Sequence, residues 1–147
     1  MHARQQIRDA VVALLTGLPT TGARVHAGRT RPLAEDHDPT LLVYTTEERS
    51  QADTIGRPVA TLRELTLRVE GRVVSAAVPP DDALDDIAAE VEAAIGADPT
   101  LGLGVIDSEL TATRILAQAP GQRQAGEITL DYLITYRTRE NAPTVIV

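Results

Sequence analysis

The chain has no cysteine, no phenylalanine and no tryptophan, and among its 147 residues stand only three tyrosines and one methionine. Without cysteine there is neither a disulfide framework nor a thiolate metal site, so a reducing compartment is compatible with the chain. Without the two large aromatics, Leu, Ile, Val and Ala must fill the core through many small contacts. Lysine is absent too: all fourteen basic residues are arginines. That removes a phosphate-loop lysine and leaves a residue well suited to interface pairing, although codon usage in a GC-rich genome explains it more economically. No run approaches the roughly 18 apolar residues that a membrane-spanning helix needs, and no charged-then-apolar segment resembling a signal peptide opens the chain.

Basic charge is missing from one half. Of the net −7, residues 1–72 contribute +1 and residues 73–147 contribute −8, with no basic residue between Val73 and Thr113. Phosphate binding calls for clustered arginine or lysine, so the second half offers no nucleic-acid-binding face. It fits an ordinary solvated surface, one that repels DNA, or one that meets a basic partner.

What is present is clear periodicity. Ile7, Ala10, Val11, Leu14 and Leu15 predict a helix over 3–16, stopped by Gly17 and Pro19. Arg24–Gly28 reads as a short strand with Val25 inward, and Arg29–Pro39 as a loop. Thr40–Thr46 reads as a strand buried on both faces, and Glu47–Pro58 as a long exposed loop broken by Gly56 and Pro58. Ala60–Val74 alternates over a long strand in which Gly71 suggests a bulge or bend. A second helix is expected at Asp81–Ile95, with Leu84, Ile87, Ala88, Val91, Ala94 and Ile95 as its stripe and Gly96 as its end. Val105–Gln118 and Gly126–Thr138 read as strands joined through a turn at Pro120–Gly126. In the last, Ile128, Leu130, Tyr132, Ile134 and Tyr136 share one face. The fold class expected is α+β: a mixed, mainly antiparallel sheet with both helices on one face, and a possible right-handed crossover through the second helix.

The chemical motifs are thin. Asp81, Asp82, Asp85 and Asp86 mimic a diphosphate-binding DDxxD cluster, but that chemistry needs two clusters across a large cavity. A helix start, capped by Asp81 or Asp82 with acids complementing the dipole, explains the same residues. His37 between Asp36 and Asp38, with His26 nearby, matches no closed zinc spacing. Ser50, Ser75 and Ser108 lack a nucleophile elbow, and Gly102-Leu103-Gly104 lacks the third glycine of a dinucleotide loop. These absences predict a non-enzyme with no cofactor and no metal. The tail Asn141–Val147 ends in an apolar, strand-prone tip that should pair with its own sheet or with a neighbouring subunit.

In order, the chain presents IRDAVVALL, a turn with Ala27-Gly28-Arg29, and the strand start DPTLLVY at Asp38–Tyr44. LRELTLRVEG, DDALDDIAAEVEAAI and LDYLITYRT follow. This succession, covering about residues 3–138, resembles the lambda-type tail terminator family of long-tailed phages and related gene transfer agents. The resemblance implies a single domain over 1–147, with 139–147 as a C-terminal extension. It also implies a homo-hexameric ring that caps the tail tube, ends tube polymerisation and offers a head-joining surface. The implied partners are a second copy, the tail tube protein and a head-completion or neck protein, with DNA passing through the ring and no membrane. The implied location is the virion tail, assembled in the host cytoplasm. Alternatives are another neck or tail-completion protein, or an unrelated small α+β binding domain. No short motif carries family site residues over. The interface candidates are therefore Arg49 and Arg57 on the long loop, Arg123 on the turn, and Val145, Ile146 and Val147 at the tip. Asp85 and Glu92 are candidates for lining a DNA passage.

Overall fold

A computed structural model describes residues 1–30, 38–75, 79–118 and 124–147. In order come α1 (Ala3–Leu15), β1 (Val25–Ala27), β2 (Thr40–Ala52), β3 (Ala60–Ser75), α2 (Asp81–Ala97), β4 (Asp107–Gln118), β5 (Gln124–Arg139) and β6 (Ala142–Ile146). The sheet runs β1-β2-β3-β5-β4, with β6 added on β5. Every pairing is antiparallel except β1 with β2. The α+β class holds, and so does the placement of both helices on one face. β3 and β4, the strands flanking α2, both run antiparallel to β5, which lies between them. The unit is thus a split crossover, with the last long strand inserted into its gap.

The inner face of β5 is the one read from the alternation: Ile128, Leu130, Tyr132, Ile134 and Tyr136 are all buried. They meet Leu65, Leu67 and Val69 of β3 and, from the helices, Ile7, Val11 and Leu15 and Leu84, Ile87, Val91 and Ile95. A spacing of three and four residues keeps each helical set on one stripe, so local periodicity suffices to place it. Leu41, Leu42 and Val43 are each fully buried, in keeping with the apolar centre of β2.

Several boundaries differ from expectation. β2 does not end at Thr46: it continues to Ala52 as one arm of a hairpin with β3, and the loop proper begins at Asp53. Glu47–Ala52 looked like loop because its residues are polar, yet backbone pairing with β3 needs no apolar side chain. Gly71 is no bulge. It sits in unbroken register between Leu41 and Ile128. A Cβ there would stand 3.0 Å from Cγ2 of both Ile87 and Ile128, so the glycine lets α2 approach the sheet. At Gly126 a Cβ would meet Leu84 Cδ1 at 2.8 Å and Pro80 Cγ at 2.9 Å, for the same reason. The register breaks fall elsewhere, between Thr45 and Glu47 in β2, between Leu110 and Ala112 in β4, and between Thr138 and Arg139 where β6 joins β5.

The helix ends differ as well. Neither Asp81 nor Asp82 caps α2; Pro80 is the N-cap without a side-chain bond, and the two aspartates occupy the first turn, where they still complement the dipole. Gly96 does not end the helix, which runs to Ala97. His2 is the N-cap of α1, and its Nδ1 accepts the Arg4 amide at 3.1 Å. No helix among the described residues is long and apolar enough to cross a membrane.

Candidate functional site

The face of the sheet away from the helices is a built polar surface. In register across it stand Arg49 and Glu64, Arg68 and Asp131, and Thr66 and Leu133. Arg68 makes a two-pronged bond to Asp131, Nε to Oδ1 at 2.7 Å and Nη2 to Oδ2 at 3.1 Å. Asp131 is only 8% exposed, and this bond raises the already high pKa of the guanidinium. Arg72 bridges Glu70 at 3.1 Å and Glu127 at 3.4 Å, and the Arg29 guanidinium stacks 4.4 Å from the Tyr44 ring centre. Opposite charges thus face one another across the strands, and the buried Arg72 Nε has no hydrogen-bond partner among the described residues.

A second polar assembly joins α1 to the hairpin arm. The bulge after Thr45 adds one residue, so parity reverses and Glu48 turns toward the helix side, opposite Leu65. Its carboxylate accepts from Arg4 at 2.9 Å, from Arg63 at 2.8 Å and from the Tyr136 hydroxyl in a short bond. Arg63 Nε also donates to Thr138 Oγ1 at 2.9 Å, and Thr138 is fully buried. Burial alone would push the Glu48 carboxyl up, but the hydrogen bonds from Tyr136, Arg63 and Arg4 outweigh it and hold the group below the ordinary carboxylate range. Glu48, Arg63 and Tyr136 were not legible as a cluster. The only trace was a second acid in a stretch that reads as loop.

Both core tyrosines are held neutral. Burial, then the charge of Glu92, pushes the Tyr132 phenol up to about 12. Burial, then the Glu48 bond, pushes Tyr136 well above its ordinary value. The folded state therefore keeps protons that the unfolded chain releases near pH 10. Stability should be fully present below pH 10 and lost as pH rises beyond it. Urea midpoints measured from pH 8 to 11.5 should fall steeply, and Tyr132→Phe should flatten that fall.

The candidate interface residues separate into distinct places. Arg49 lies on β2 rather than on a loop, 80% exposed and paired with Glu47 at 3.1 Å. Arg57 does lie on the Asp53–Val59 loop, in an ion pair with Glu140. Val145 and Val147 are 52% and 55% exposed, while Ile146 packs against the core opposite Thr138. β6 thus docks on its own sheet through Ile146 and presents its other side to solvent. Arg123 lies outside the described residues, as does His37. Asp85 and Glu92 are exposed on α2, on the helix side of the molecule and away from Arg49. The structure therefore brings Arg57 and the β6 tip to one end of the sheet and leaves Asp85 and Glu92 on another side. Among the described residues no group of three His, Asp or Glu could hold a metal ion. Ser108, one of the three serines considered as nucleophiles, donates to the Pro99 carbonyl at 2.8 Å.

No protein-family model matches the chain, and no curated protein does. Among solved structures, a chain from the virion of a native gene transfer agent particle is similar over 91% of this chain and 95% of its own length, at 10% identity and a TM-score of 0.37. A likeness that loose carries no argument about what this chain does.

Proposed function

We propose that this chain is a structural virion protein that forms a homo-hexameric ring at the end of a phage-type tail tube. The ring stops tube growth and presents a joining surface to the head or neck. The observation that carries this reading is the ordered succession of sequence pieces described above. Its support from the fold is that those pieces are neighbours in space. Asp38–Tyr44 leads into β2, Leu62–Gly71 lies in β3 and Leu130–Thr138 in β5, and these strands are consecutive in the sheet. Asp81–Ile95 lies in α2, which packs over β3 and β5 among them.

The mechanism is competitive binding without catalysis. One ring face matches the last ring of tube protein, and the opposite face lacks a surface on which tube can grow. The paired charges of the polar sheet face, Arg68 with Asp131 above all, suit such a role, because a preorganised surface loses little freedom on docking. The exposed acids of α2, Asp85 and Glu92 among them, would flank the DNA passage, where like charge keeps the duplex from sticking.

Deleting the gene from its particle-producing genome tests the reading. The expected result is overlong tails without heads, restored to normal length by the gene in trans. Tails of normal length that fail to join heads would instead assign the chain to the neck. Normal particles would refute both.

A further inference from the structure

Helix α1 begins on a side chain that titrates. The cap is His2, and its Nδ1 accepts from the amide two residues on, that of Arg4, at 3.1 Å. Serine, threonine, asparagine and aspartate usually fill this position, because their side-chain oxygens accept at neutral and mildly acid pH alike. A histidine accepts there only while Nδ1 carries no proton. Once protonated, the ring has two N–H donors and no acceptor. It then also sets a positive charge against the positive end of the helix dipole.

The groups around the ring oppose that proton. Arg4 from α1, Arg63 from β3 and the Met1 amino group are the cations, and Glu48 from β2 is the acid. Glu48 already accepts from Arg4, Arg63 and the Tyr136 hydroxyl, so its charge is largely spent. Burial first, then Arg4 and Arg63, hold the His2 imidazole below the ordinary histidine value of 6.5. The unfolded chain therefore takes the proton first as pH falls. The cap's contribution is present above that value and is lost as pH drops through the folded one.

The first turn holds more than itself. Gln6 Nε2 donates to the Met1 carbonyl at 3.0 Å and to the Thr144 carbonyl at 2.7 Å, which ties α1 to β6. The pairing of β6 with β5 is short: Thr138 with Ile146 and Arg139 with Ala142, with a break between them, and the Val147 amide on the Arg137 carbonyl at 3.0 Å. One turn further in, fully buried Ile7 anchors the helix, so fraying stays within Ala3–Gln6. We propose that His2 is an acid-sensitive clasp: on gaining a proton it frees the first turn of α1, and with it the Gln6 bond that pins β6 and its half-exposed Val145–Val147 tip. The clasp operates within one copy and needs no ring.

An NMR titration of the whole chain from pH 7.5 to pH 5 tests the clasp. Cα shifts of Ala3–Gln6 report the first turn, and exchange of the Val147 amide, corrected for its intrinsic pH dependence, reports β6. The shifts should move toward coil values with a midpoint below 6.5, in step with the His2 ring signals. The opening constant at Val147 should rise roughly fivefold, the size of one lost cap. His2→Asn keeps an acceptor that does not titrate, so both responses should vanish although His26 and His37 remain. Gln6→Ala should leave Val147 loose at every pH while the first turn keeps its response. A His2 midpoint at or above 6.5, first-turn shifts indifferent to it, or a response that survives His2→Asn would overturn the clasp. A first turn that frays with Val147 protection unchanged would overturn its hold on β6.

Discussion

Glu48→Ala is expected to destabilise the fold by about 3–5 kcal/mol, because it removes one partner of a buried ion pair and leaves the other uncompensated. The Glu48 side chain is 8% exposed and that of Arg63 13%, so the guanidinium could not simply rehydrate in place. Arg4 is 44% exposed and would lose far less. Tyr136 would also lose the acceptor for its buried hydroxyl. Denaturant titration of Glu48→Ala, Arg63→Ala and the double variant would separate these contributions. If the uncompensated charge dominates, the double variant should be clearly less destabilised than the sum of the two single changes. Equal sums would show that packing, not charge, sets the cost.

The same carboxylate predicts an acid limb. Its folded pKa lies below the unfolded value, so the unfolded chain binds the proton first as pH falls. Its contribution is therefore present above the ordinary carboxylate range and is lost as pH drops through the folded value. Glu48→Gln should be less stable than wild type at pH 7, and the gap should narrow toward pH 3.

The second large effect belongs to the docking of α2. Ile87→Ala should cost about 2–5 kcal/mol, since Ile87 is 1% exposed and packs over the middle of the sheet. Gly71→Ala alone should cost about 1–3 kcal/mol through overpacking, despite the gain of roughly 0.5–1 kcal/mol from replacing a strand glycine. The new methyl would sit 3.0 Å from Ile87 Cγ2 and 3.5 Å from Ile87 Cδ1. Combined with Ile87→Ala, the same methyl enters the space just vacated. Ile128 Cγ2, also at 3.0 Å, is then the neighbour that must give. The two changes should therefore be coupled favourably by about 0.5–3 kcal/mol in thermal or urea unfolding. Strict additivity would mean that Gly71 is glycine for some reason other than helix approach.

Much of this architecture was readable from residues alone, and each success has a local cause. The stripes of α1 and α2 and the inner face of β5 follow from spacings of three to four and of two, which the chain carries within a dozen positions. The acidic character of α2 is likewise a property of the string. The hairpin arm failed because polar residues in a paired strand look like loop. Glu48 failed because a one-residue bulge reverses which side chains face inward, and alternation cannot announce its own interruption.

The interface candidates show the same division. Arg57 and the Val145–Val147 tip were singled out from loop and tail character. Only the ladder from β5 to β6 and the Arg57–Glu140 pair place them at one end of the sheet.

The sequence by itself therefore determined both helices, the centres of the long strands and their apolar stripes, the charge asymmetry and the α+β class, because these depend on neighbours along the chain. The tertiary structure decided the insertion of β5 between β3 and β4, the register breaks, the inward turn of Glu48, the close approach at Gly71 and Gly126, and the surfaces left to meet a partner. Those depend on contacts between residues far apart in sequence, for which no local pattern carries a code.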